Sequence, residues 1–69
     1  MRKYLVIFEK ANHNYSAYSP DLPGCIATGV TKKEAEKNMK EAIGFHIEGL
    51  KEDGVPLPEP ISSVEYVEV

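Results

Sequence analysis

Ahead of Thr31 the chain is built from short runs of alternating or continuous apolar residues, and after it the apolar positions recur every three and four residues. Lys3 to Glu9 is rich in Tyr, Val, Ile and Phe, which favour a pleated, packed surface, so a strand is expected there. Tyr4, Val6 and Phe8 fall on one face of it, Leu5 and Ile7 on the other; two apolar faces predict a central strand covered on both sides. Lys10 to Asn14 supplies turn chemistry, since Asn12 and Asn14 tolerate positive φ and bond local backbone. A hairpin then leads into a second strand over Tyr15 to Ser19, closed by Pro20, which has no N–H to offer a ladder. Pro20 to Gly24 reads as a tight loop, with Pro23 and Gly24 suited to the two central positions of a type II turn. Cys25 to Val30 follows as a third strand.

Thr31 with Glu34 three residues on forms a capping box, the signature of a helix start. The apolar stripe is Ala35, Met39, Ala42, Ile43, His46, Ile47 and Leu50, with Lys33, Lys37, Lys40, Glu41, Glu48 and Lys51 turned mostly to solvent. Gly54 suits the position just past the helix, which should run from about Lys32 to Asp53. Gly44 and Gly49 lie inside it, each costing about 1 kcal/mol relative to Ala. Two explanations stand side by side: weak propensity overridden by packing, or close approach of another backbone that only glycine permits. Pro56, Pro58 and Pro60 space an extended connection, and the alternation in Ser62 to Val69 predicts a last strand.

The expected order is therefore β-β-β-α-β, a single α+β domain over residues 1–69. Two hairpins make the first three strands antiparallel. A right-handed crossover through the helix would set the last strand parallel to the first, giving a four-stranded mixed sheet of order 3-2-1-4 with one helix on one face. The other face carries apolar residues and must find its cover elsewhere.

Composition sharpens that point. At 69 residues a monomer buries only about 60% of the surface its unfolded chain exposes. Cys25 is the single cysteine and His13 and His46 are the only histidines, so neither an internal disulfide nor a structural metal site is expected, and no cofactor is implied. Self-association, as a dimer or tetramer, or a tightly bound partner is the expected source of extra stability. Eight Lys and Arg against eleven Asp and Glu give a net charge of -3, which argues against direct nucleic-acid binding and fits a basic protein partner. No apolar run reaches the roughly 18 residues of a membrane span, and no signal-peptide pattern precedes Phe8, so a cytoplasmic protein is expected.

Tyr15-Ser16-Ala17-Tyr18-Ser19-Pro20-Asp21-Leu22-Pro23-Gly24-Cys25, followed in order by Gly29, Thr31, Glu34, Ala35, Asn38, Glu41-Ala42-Ile43, His46, Glu48, Leu50, Gly54 and the Pro56 to Pro60 segment, resembles the HicB-like antitoxin domain. A Asp-Leu-Pro-Gly turn or a capping box alone is common; the ordered series is much more specific and spans nearly the whole chain from Tyr4. The resemblance implies a truncated, partial RNase H-like fold. It also implies a protein-binding role, neutralising a small basic HicA-type toxin that cleaves mRNA by occluding its active site. Relatives that regulate transcription carry a C-terminal DNA-binding segment, which is not expected within residues 1–69.

Chemistry by the chain itself is not expected. Two-metal phosphodiester hydrolysis needs converging carboxylates, at least one typically on a rigid strand, and Lys3 to Phe8 carries none. The helix glutamates suit a solvated face. His46 on the apolar stripe reads as a packed side chain and Cys25 as a small buried hydrophobe, although neither role is fixed by sequence. The expected partner-binding residues are the turn Asp21, Leu22, Pro23 and Gly24 with the flanking Tyr18; Thr31, Glu34 and Gly54 are structural. The competing function is a stand-alone homo-oligomeric interaction domain with an unknown ligand or partner, and a nuclease remnant ranks last.

Overall fold

A computed structural model describes residues 2–69. Its elements are β1 (Ile7–Lys10), β2 (Tyr15–Tyr18), β3 (Ile26–Gly29) and α1 (Lys32–Glu52). The three strands form one antiparallel sheet in the order β1-β2-β3. The α+β class and the first four elements thus stand as the sequence predicts, but the four-stranded mixed sheet of order 3-2-1-4 does not.

The last strand fails for a visible reason. The prolines at 56, 58 and 60 strip donors from the approach. At Ser62, where pairing would begin, the backbone N–H donates to Asp21 Oδ2 at 3.2 Å and the hydroxyl to Asp21 Oδ1 at 2.8 Å, so the chain is tied to the 19–25 turn instead. Beyond it, Val64 and Tyr66 come alongside Leu5 to Phe8 without a ladder, and the Tyr66 side chain is 100% exposed. β1 is consequently an edge strand rather than a central one.

β1 is also shorter than the Lys3 to Glu9 expectation. Its partner strand ends at Tyr18, opposite Ile7, after which Ser19 and Pro20 turn away and leave residues 3–6 nothing to pair with. Tyr4 is held by its hydroxyl, which donates to the Pro58 carbonyl at 2.7 Å. The hairpin closes with Ala11 N–H donating to Asn14 O at 2.8 Å. Among the described residues none but glycine has positive φ, so Asn12 and Asn14 turn the chain without using the left-handed conformation they tolerate.

The helix ends are as the sequence predicts. Glu34 N–H donates to Thr31 Oγ1 at 3.1 Å, and Glu34 Oε1 accepts from Val30 N–H at 2.9 Å, one residue before the cap. At the other end Gly54 takes φ 70°, with its N–H donating to Lys51 O and that of Val55 to Leu50 O, a Schellman pair that satisfies the last carbonyls.

Register assigns the faces. Phe8, Ala17 and Ala27 lie in one cross-strand row facing α1, while Ile7, Tyr18 and Ile26 form a row on the opposite face. The core joins Ala17, Leu22, Cys25 and Met39, with Tyr4, Val6, Phe8, Ala27, Ala42, Ile43 and Ile47 packed around them. Lys32 closes one end, its Nζ 5.5 Å from the centre of the Phe8 ring. The helix comes closest to the sheet at Gly29. A Cβ there would meet the backbone nitrogen of Ala35 and lie 2.8 Å from the Glu34 carbonyl carbon. Close approach thus decides a glycine at position 29, whereas nothing lies within 4 Å of a Cβ built at 44 or 49.

Candidate functional site

The 19–25 turn is two successive hydrogen-bonded turns: Leu22 N–H donates to Ser19 O at 3.1 Å and Cys25 N–H to Leu22 O at 3.0 Å. In the second, Pro23 and Gly24 occupy the central positions and Gly24 has φ 81°, as a type II turn requires. The five expected partner-binding residues divide into two groups. Leu22 points inward, 0% exposed, and anchors the loop in the core. Its side chain therefore offers no contact surface. Asp21 is half-buried and spends both carboxylate oxygens on Ser62. Pro23 and Gly24 are exposed at the tip, and half-buried Tyr18 lies in the open-face row between Ile7 and Ile26.

That open face has no helix over it. Ile26 and Val30 on it are each 69% exposed, and Glu9, Ser16 and Thr28 make the next row. The apolar face left uncovered by a single helix is thus a property of the folded chain, as the sequence pattern predicts.

The titratable groups fall away from catalysis. Cys25 is buried, and desolvation pushes its thiol above the ordinary range, so at neutral pH it stays protonated and unreactive. His46 is half-buried on the apolar helix stripe. Among the described residues no group of three or more His, Cys, Asp or Glu is placed to hold a metal ion, and no helix is long and apolar enough to cross a membrane. Ser19 Oγ is buried with no hydrogen-bond partner, at the root of the turn.

A second surface lies on α1. The helix leaves β3 at Gly29 and runs back along it, as Ala35 against Gly29 and the Asn38 Nδ2 bond to Thr28 O at 2.8 Å record. At about 1.5 Å per helical residue against about 3.3 Å per strand residue, α1 draws level with the start of β3 near residue 40. Its C-terminal half therefore lies at the end of the sheet that carries the 19–25 turn. Phe45, on that half, is 79% exposed, and with Glu41, Gly44 and Glu48 it lines a shallow depression of about 300 Å³. Phe45 falls outside the apolar stripe, so periodicity assigns it to solvent. The signal in the sequence is an aromatic residue on the acidic side of the helix.

The family profile described as HicB-like antitoxin of bacterial toxin-antitoxin system matches residues 4–68. An uncharacterized 14.9 kDa protein in the rep-hol intergenic region of Haemophilus phage HP1 is 45% identical over 64 residues, 93% of this chain and 48% of the phage protein, so the chain spans about half the length of that relative. A UPF0150 protein of Thermoplasma acidophilum is 47% identical over 57 residues, covering 81% of this chain and 83% of the relative. Among solved structures, a chain of a HicA3 and HicB3 toxin-antitoxin complex superimposes with a TM-score of 0.72 at 37% identity, covering 87% of this chain and 70% of the other.

Proposed function

Because the chain belongs to the HicB-like antitoxin family, which is not an enzyme family, we propose that it neutralises a small basic HicA-type toxin by binding over that toxin's active site. The observation that carries this is the likeness to a chain from a HicA3 and HicB3 complex in both fold and sequence. The net charge of -3 complements a basic partner and gives the chain itself no claim on a polyanion. In this reading the contact is made at the end of the molecule that carries the 19–25 turn. Pro23, Gly24 and Tyr18 touch the partner, while Leu22 and Asp21 hold the loop in shape from behind. The work is cytoplasmic, where toxin and mRNA meet and a free thiol such as Cys25 stays reduced.

Co-expression tests the reading. A HicA-type toxin that arrests growth should be neutralised by this chain, and the two purified proteins should bind in calorimetry. Failure of every HicA-type toxin encoded beside such a chain to be rescued or bound would contradict it.

The uncovered sheet face favours a second reading that can coexist with the first, in which the chain also pairs with itself through the exposed Ile26 and Val30. Sedimentation of the chain alone should then show a dimer or larger species that Ile26→Lys dissociates. A monomer at micromolar concentration would dismiss self-pairing.

A further inference from the structure

We propose that the depression around Phe45 receives an arginine or lysine side chain of the basic partner, so that the C-terminal half of α1 is part of the toxin-binding surface. This rests on the antitoxin reading and specifies where it acts. The depression is lined by Glu41, Gly44, Phe45 and Glu48. Glu41 precedes the ring by four residues and Glu48 follows it by three, the two spacings that put side chains on one helix face. A guanidinium laid on the ring face gains a cation–π contact while its N–H groups reach the flanking carboxylates.

Three separate observations meet there. Phe45 is 79% exposed, more than any other large apolar side chain within a strand or the helix. Gly44 weakens the helix, yet a Cβ at that position would meet nothing within 4 Å, so the chain's own packing does not explain it. Its missing side chain keeps the depression open beside the ring. The sole ion pair among the described residues is Arg2 with Glu59, 3.2 Å apart, so neither Glu41 nor Glu48 makes a direct ion pair, with Lys37 and Lys51 one helical turn away from them.

Charge decides between occupants. A second copy placing an apolar face on Phe45 would desolvate two carboxylates that make no direct ion pair, which is unfavourable. A basic surface supplies the missing charge. Along the helix axis this half of α1 is level with the 19–25 turn, and Phe45 lies on the helix face turned away from the sheet.

The test is calorimetric titration of the full chain with a HicA-type toxin that it neutralises in cells, at low and at high salt. Phe45→Ala should weaken binding at least about tenfold with an unchanged thermal midpoint, because the ring is exposed. The double variant Glu41→Gln, Glu48→Gln should also weaken binding and flatten its salt dependence. Wild-type affinity and wild-type salt dependence in both variants would overturn this site while leaving the antitoxin reading intact. A wild-type chain that binds no such toxin would instead remove that reading, and this site with it. A change in the chain's own sedimentation on Phe45→Ala, with toxin binding intact, would assign the depression to a second copy.

Discussion

The two halves of α1 stand in opposite relations to glycine. In the N-terminal half, Ala35 and Met39 are buried and the helix backbone comes so close to β3 that position 29 has room only for hydrogen. In the C-terminal half, Gly44 and Gly49 face open space and Phe45 stands in solvent beside carboxylates. One half shows what glycine does when the fold demands it. The other carries two helix glycines, each costing about 1 kcal/mol relative to Ala, with no internal return, the pattern expected where the demand comes from another molecule. Stability and recognition are thus separable along a single helix, and substitutions should sort accordingly.

The largest effect should come from the packed side. Gly29→Ala forces a Cβ into the Ala35 and Glu34 backbone, which cannot swing aside as a side chain would, and should cost about 3 kcal/mol or more in urea unfolding. A loss below about 1 kcal/mol would mean that the contact is loose and that the contrast with Gly44 is empty. Asp21→Ala comes next. It removes both bonds to Ser62, should cost about 1–2 kcal/mol, and should raise amide hydrogen exchange around Ser62 while leaving β2 and β3 protected. Gly44→Ala should move stability the other way, by about 0.5–1 kcal/mol, since the new methyl group meets nothing.

The smallest effect concerns Cys25. Burial raises its folded-state thiol above the unfolded value of about 8.5, so between those two values the unfolded chain has released a proton that the folded one still holds. Stability is therefore full below the unfolded value and falls as pH rises above it. Cys25→Ala should remove that alkaline slope, at the separate cost of a small cavity, in denaturation curves taken from pH 7 to 10.

Much of this was legible in the residues. Thr31 and Glu34 marked the helix start, Gly54 its end, and Pro23 with Gly24 the turn, because each obeys a local rule that tertiary structure does not override. The alternation of Tyr4, Val6 and Phe8 named the core face of the first strand. The last strand does not follow from the pattern because alternation in Ser62 to Val69 says which side chains would share a face, not whether a partner edge takes up the backbone; Asp21 takes the first donor instead. Leu22 looked like a turn residue available to a partner, whereas a loop this small needs an inward anchor. Helix position singles out Gly44 and Gly49 for close approach but not Gly29, since a glycine late in a strand pattern does not reveal which element will pack on it. Phe45 was silent for a related cause: periodicity sorts residues into core and solvent, and a binding side chain belongs to neither.

The most direct measurement is Gly44→Ala read twice, for thermal midpoint and for affinity toward a HicA-type toxin that the wild-type chain neutralises. A helix half kept weak for recognition predicts a higher midpoint together with weaker binding, as the methyl group projects into the depression where the partner's side chain would lie. A higher midpoint with unchanged affinity would contradict it.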